Sequence, residues 1–358
     1  MSLRILFYCL IISSLSAHAQ TMDVNEFLPA NDSLRGKLLF ITEAHDVKGN
    51  LISQKEMIGS ISGMMNTADT LNVFIEAPYS LAWAMTRYVR GESTTLVDSV
   101  LRTDPDKIEY YFALRKMKKN IRFIGVDFEY DHGNPGARLE AYKAFFDDLK
   151  KEFEKKQIDL SVVKSFLYGI RVQGLEEADI YTFRKYIQKL RLTQEDPVLR
   201  TKLKDANFIL TARTEWDKDD MRDKIFYGRY LEVIKGGVEV SNNFNIAIFG
   251  SLHGNPMNEK SLYNKLQYSD DSPFKSVVVI AAGVYINCLS KSGYYDRHFS
   301  IENNSLYVNT KEDKQLLELF KTKFPIRENN VSIFRNNLTL PLKDLDRVKY
   351  WIVQKEIR

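Results

Sequence analysis

Five apolar runs constrain this chain more than any other feature: Leu38–Ile41, Leu71–Ile75, Ile121–Val126, Phe244–Phe249 and Val277–Ile280. All are rich in β-branched or aromatic residues, and they are near-continuous rather than alternating. A strand with one wet face alternates apolar and polar side chains, whereas a strand covered on both faces does not. The runs therefore predict a buried sheet. Between the first two, Met57, Ile58, Ile61, Met64 and Met65 share one helical face; between the second and third, Ile108, Tyr111, Phe112 and Leu114 mark another helix. Strand–helix–strand alternation predicts an α/β fold with a mostly parallel central sheet, flanked by helices and joined by right-handed crossovers.

Residues 137–235 break that rhythm. Leu139, Tyr142, Phe145, Phe146, Leu149 and Phe153 recur at helical spacing, as do Val163, Phe166, Leu167 and Ile170. Phe183, Tyr186, Ile187 and Leu190 repeat it, then Ile225, Phe226, Tyr230, Val233 and Ile234. Gly236-Gly237 closes the last of these helices as a C-cap pair. The segment reads as a helical insertion in a single domain of residues 20–358, roofing the strand ends. From residue 290 to 358 the pattern weakens into a C-terminal extension, with one helix expected near Lys311–Lys323.

The N-terminus, MSLRILFYCLIISSLSAHAQ, has one early positive charge, an apolar run from Ile5 to Leu15 and the small-residue site Ala17-His18-Ala19. Residues 1–19 are expected to be a cleavable signal peptide, cut near Ala19, which predicts a secreted or periplasmic protein. No later stretch reaches about 18 consecutive apolar residues, so no transmembrane segment is expected in the mature chain. Cleavage would leave Cys288 as the sole cysteine, in an apolar run that suits a core thiol. With 51 basic and 47 acidic residues the net charge is only +4, and nothing suggests the clustered basic face of a nucleic-acid binder.

The chemistry gathers where the strands end. The first run delivers Glu43 and His45, the second Glu76, the third Asp127, Glu129 and His132, and the fourth His253. Ligands of open parallel sheets bind outside the carboxyl ends of the strands. Any one of these residues alone would more often be structural, since strands commonly run into polar loops. Their conjunction is what points to a site, with His132, in the turn-like DHGNPG, the weakest member. Glu43 and Glu76, taken as ends of neighbouring strands, are expected to share a cleft in which repulsion raises one pKa.

Other chemistries lack their motifs. GSLHG has no Gly-x-Ser-x-Gly elbow, no Lys-Ser/Thr pair follows the glycines at 133–136, and there is no HExxH helix or cysteine cluster. Two readings of the acid and histidine set remain. Histidine takes a proton from water while carboxylates orient it, with no cofactor; alternatively the same residues hold a divalent metal that acidifies a bound water.

The order of ITEAH, FIEAPYSLAWAMTRYVRG, FIGVDFEY, MRDKIFYGRYLEVI and the strand before His253 resembles the erythromycin esterase and ChaN-like superfamily, most of all its esterase branch. The resemblance spans roughly residues 35–285, as motifs with little between them. It implies a hydrolase acting on an ester or related acyl bond of a small molecule. His45 would be the general base, Glu43 and Glu76 the carboxylates orienting water, and His253 the second imidazole. Asp127, Arg222 and His132 would line the substrate pocket. Thr42 replaces the usual Gly, and Phe249-Gly250-Ser251 replaces an aromatic-rich motif, so a macrolide substrate does not follow. The superfamily also allows a ChaN-like haem- or iron-binding protein without turnover, or a Tiki-like metal-dependent peptidase, with His45, Glu43, Glu76 and His253 as ligands.

Overall fold

The apolar runs form the parallel centre of one sheet. The structure, a computed structural model, describes residues 21–23, 34–43, 48–94, 104–129, 135–172, 177–211, 219–250, 253–254, 258–274, 279–286, 305–308, 332–335 and 350–355. The signal segment, His45, His132, Cys288 and the helix expected near Lys311–Lys323 lie outside these residues. The strands are β1 (Thr21–Asp23), β2 (Leu38–Glu43), β3 (Leu71–Pro78), β4 (Ile121–Asp127), β5 (Phe244–Gly250), β6 (Val279–Ile286), β7 (Ser305–Val308), β8 (Ser332–Arg335) and β9 (Tyr350–Lys355). The described helices are α1 (Lys48–Met64), α2 (Tyr79–Val89), α3 (Pro105–Lys116), α4 (Pro135–Lys155), α5 (Ser161–Val172), α6 (Glu177–Thr193), α7 (Pro197–Thr211), α8 (Asp219–Lys235) and α9 (Leu262–Tyr268). None is long and apolar enough to cross a membrane.

The nine-stranded sheet has the order β1-β8-β9-β6-β2-β5-β3-β4, with β7 beside β6. Neighbours from β6 to β4 pair in parallel, while β8 is antiparallel to both β9 and β1. The weakly patterned C-terminal region thus contributes strands to the same sheet. Both faces of the central strands are covered, which explains the runs. Leu38, Phe40, Phe74, Ile124, Val126, Ala247 and Phe249 pack with α4–α9; Leu39, Ile41, Val73, Phe123, Ile246 and Ile248 pack with α1–α3. Successive side chains of a strand point to opposite faces, so an apolar residue is needed at every position.

Five described helices, α4 to α8, lie between β4 and β5. The positions at helical spacing are their inward faces: Phe146, Phe153, Phe183, Phe226 and Tyr230 are fully buried. Each such ring contributes about 1.5–3 kcal/mol by leaving water. Phe166 stacks on Phe183 at 4.2 Å and meets Phe146 edge-on at 5.1 Å. This cluster is continuous with Phe40, Phe74 and Phe249 of the strands, so the helices are the covering layer of that face. Gly237, just past α8, takes φ +106°, a left-handed conformation suited to glycine after a helix. In α3 the phase differs from expectation. Tyr110, Tyr111 and Leu114 are buried, whereas Ile108 and Phe112 are 38% and 46% exposed. Asp104 caps this helix through the amides of Asp106 and Lys107, and the sheet then selects the face one residue round.

Two local devices aim the ends of β3 and β4. The β3–β4 register shifts between Ile75 and Pro78. There β3 crosses so close to Gly125 that a Cβ would sit 2.3 Å from the Pro78 carbonyl oxygen and 2.4 Å from that of Ala77. Only glycine fits. The chain then turns directly into α2, whose N-cap, Pro78, offers no side-chain acceptor. Glu129 supplies it instead. The Ser80 amide donates to its Oε1 at 3.2 Å and the Ser80 hydroxyl to its Oε2 at 2.6 Å. Glu129 is therefore a buried cap at a helix N-terminus, where negative charge is favoured. Burial nevertheless pushes its carboxyl up to about 7 against the Ser80 hydrogen bonds and the charge of Arg229.

Candidate active site

Strand β5, arriving from the α8 side, enters between β2 and β3. From β2 the chain leaves to α1 on one face, and from β5 it leaves to α9 on the other, so their carboxyl ends flank a topological switch point. Glu43, Glu76, Asp127 and His253 all lie along this edge. Glu43 and Glu76 are not on neighbouring strands as expected, because β5 separates them.

Their side chains also take opposite faces. Glu43 shares the parity of Leu39 and Ile41 and turns toward α1, where the Gln54 side-chain amide donates to Oε2 at 2.5 Å. Burial pushes the Glu43 carboxyl up to about 7; the Gln54 hydrogen bond opposes this, the charge of Glu76 adds to it and that of Lys107 opposes it. The buried Tyr110 of α3 feels the Glu43 charge and is itself pushed up, chiefly by burial.

Glu76 turns toward α8 and is saturated with donors. The Gly250 amide donates to Oε2 at 3.0 Å, Arg222 Nη2 to Oε1 at 3.0 Å, and His253 Nε2 lies 3.3 Å from the same Oε1. Burial pushes Glu76 up, but His253, Arg222 and Gly250 outweigh it and hold the carboxyl near 2. Arg222 Nη2 also donates to Asp127 Oδ2 at 3.0 Å, and its guanidinium lies over the Phe226 ring at 5.1 Å. Asp127 accepts from the Phe128 amide at 2.8 Å. Arg222 thus bridges Glu76 and Asp127 at the strand ends.

His253 is held at both ring nitrogens: Nδ1 makes a short contact with Asp223 Oδ1, and Nε2 faces Glu76. Burial works against its charge, but the two carboxylates raise it to about 9. Its ring packs beside Phe226 at 5.1 Å and Phe249 at 6.3 Å. The next residue, Gly254, lies against β2 so closely that a Cβ would fall 2.0 Å from Thr42 Cγ2. The Thr42 side chain is therefore accommodated by a glycine on the facing loop.

Asp223, Gln54 and the Thr42–Gly254 contact were not among the residues expected at the site. Asp223 was legible only as the second residue of the Arg-Asp pair; Gln54 carried no signal within its helix.

Among the described residues, His253 and Glu76 do not fit a metal ion. A metal-binding imidazole needs a free lone pair, and both nitrogens of His253 face carboxylates. The Glu76 oxygens already accept from three donors. No group of three or more His, Cys, Asp and Glu suited to a metal ion occurs among the described residues.

No family model and no curated protein matches the chain. Solved structures do. A Bacillus cereus protein matches with TM-score 0.56 at 12% identity over 97% of both chains. A succinoglycan biosynthesis protein matches with TM-score 0.53 at 11% identity, over 78% of this chain and 75% of its own. A mutant of the erythromycin esterase EreC in its open conformation matches with TM-score 0.47 at 13% identity over 76% of each chain. At these identities the first two show a shared fold.

Proposed function

We propose that this protein is an exported hydrolase of the erythromycin esterase type, which directs water at an ester or related acyl bond of a small molecule without a covalent intermediate. The observation that carries this reading is the pair of cationic donors, His253 and Arg222, held by Glu76, Asp127 and Asp223 at the strand ends. Acyl transfer develops negative charge on the former carbonyl oxygen, and fixed donors in a water-poor site stabilise it. The long Nε2 contact with Glu76 leaves that N–H able to turn to a substrate oxygen. His45 is assigned as general base and Glu43, two residues before it, as the carboxyl that orients it or the water. Glu76 is assigned as the anchor of the two cations. His132 stays a candidate for substrate contact, and the signal-like N-terminus supports export.

Turnover of a panel of small acyl esters by His45→Ala tests this. Loss of a general base typically costs about 10²–10⁴ in rate, with far-UV circular dichroism and melting unchanged. A fully active variant would remove His45 from the mechanism. Stoichiometric zinc or manganese whose chelation abolishes activity would replace the reading with a metal-dependent peptidase. A haem Soret shift absent in His45→Ala, with no turnover, would replace it with a binding protein.

A further inference from the structure

His253 is fixed at more points than an exposed loop histidine needs. Its amide donates to the Gly250 carbonyl at 3.0 Å, and its own carbonyl accepts from the Tyr263 amide at 3.0 Å. Gly254 is pressed against Thr42, so the backbone after the ring cannot swing toward β2. The ring lies beside Phe226 and Phe249. What these contacts leave open is rotation of the imidazole and the placement of its protons. Among the described residues, Asp223 and Glu76 bear on both.

The geometry decides the proton count. An ionised carboxylate can only accept hydrogen bonds, so a ring nitrogen facing one must carry hydrogen. Nδ1 faces Asp223 Oδ1 and Nε2 faces Glu76 Oε1, which calls for N–H on both sides. The two contacts differ in kind. Nδ1 pairs with Asp223, while the 3.3 Å from Nε2 to Glu76 is beyond the usual range for a strong N–H···O bond. Glu76 is also shared with Arg222 and the Gly250 amide. Glu76 is thus divided among three donors, and its contact with Nε2 is a long one. Among the described residues the charged groups facing the ring are Glu76 from β3 and Asp223 from α8, with Arg222 of α8 and Asp127 of β4 beyond Glu76.

We infer that Asp223 is a positioning residue: it locks the His253 ring as a two-proton donor with Nε2–H presented to the reacting edge. Its effect on rate rests on the hydrolase reading; its effect on the ring does not. Asp223 touches no substrate in this scheme. It acts through His253, as Asp127 acts through Arg222, so one turn of α8 carries a cation for the site and the anion that holds the site's other cation.

Ring-nitrogen NMR of histidine-labelled protein, with His253 assigned by its absence in His253→Gln, reads the ring directly. The native chain should show two protonated ring nitrogens for His253 at neutral pH. Asp223→Asn, which keeps the shape and removes the charge, should show one protonated and one bare nitrogen. Asp223→Glu should restore the native pattern in part and covers the case in which the Asn variant does not fold. In kinetics, Asp223→Asn should lower kcat about 10²-fold, the loss expected when a proton donor is misplaced, with KM little changed. An unchanged two-proton signature in Asp223→Asn, or a native ring lacking the second proton, would overturn the inference. Loss of the signature in a protein with no esterase activity would overturn the hydrolase reading and leave the positioning role standing.

Discussion

Glu43 and Glu76 are the same residue type at the same sheet edge, two strands or about 10 Å apart, yet their surroundings drive them in opposite directions. Burial raises both. On the α1 face Glu43 meets one described neutral donor, Gln54, and its carboxyl is pushed up to about 7. On the α8 face Glu76 meets a backbone amide and two cations, and its carboxyl is held near 2. Desolvation is common to both; the number and charge of the donors decide the sign. One face therefore offers a carboxyl that exchanges a proton near neutrality. The other offers a permanent anion around which cations are arranged.

The sharpest way to break this contrast is Glu76→Ala. It leaves Arg222 and His253 without their common partner and the Gly250 amide without its acceptor. Removing one member of a buried ion network typically costs about 3–5 kcal/mol, and urea unfolding at neutral pH should show a loss of that size. A loss no larger than that of an exposed ion pair, under about 1 kcal/mol, would mean that Glu76 does not organise this face.

The size of that expected loss could not have been read from the chain. The strands were legible because each is apolar at both parities, and Glu76 and His253 because they follow such runs directly. Strand order was not, since nothing in LNVFIEAP or NIAIFGSLHGN says that β5 enters between β2 and β3. Without the order, the parity that places Glu43 with Leu39 and Ile41 could not be tied to α1 rather than α8. The burial of Glu129 as a cap for α2 was hidden for the same reason: its partner, Ser80, is 49 residues away in sequence. The glycine of FIGVD was visible, but its cause, the crossing of Ala77 and Pro78, is tertiary.

Glu43→Gln sharpens the contrast through pH. A carboxyl raised from 4.5 to about 7 by folding binds its proton more tightly in the native state. Stability from this group is full below about 4.5, declines as pH rises toward about 7 and stays lost above it. Glu76 has the opposite sign: its contribution is full above 4.5 and is lost as pH falls toward about 2. His253, raised from 6.5 to about 9, contributes fully below 6.5 and loses its contribution as pH passes about 9. Glutamine keeps the shape of Glu43 without the ionisation, so the variant should equal the native protein in acid and exceed its stability above pH 7 by about 3 kcal/mol. Melting curves across this range check it; a stability difference that does not change with pH would show that Glu43 ionises as it does in the unfolded chain.

The smallest expected effect isolates the one hydrogen bond that restrains Glu43. Gln54 donates to its Oε2 at 2.5 Å, which favours the charged form and pulls the carboxyl down against burial. Gln54→Leu keeps most of the side-chain volume and removes the donor, so the Glu43 carboxyl should rise further. Above pH 7, where native Glu43 is ionised, the variant should be less stable by about 1 kcal/mol, the net worth of one such bond. Below about 4.5 Glu43 is protonated in folded and unfolded chains alike, and the deficit should shrink. If Glu43 sets the acidic limb of the activity profile, that limb should move to higher pH in Gln54→Leu and vanish in Glu43→Gln. An equal deficit in acid and in base would make Gln54 a packing residue only. A limb that stays in place in both variants would assign it to another group and detach Glu43 from the chemistry on the α8 face.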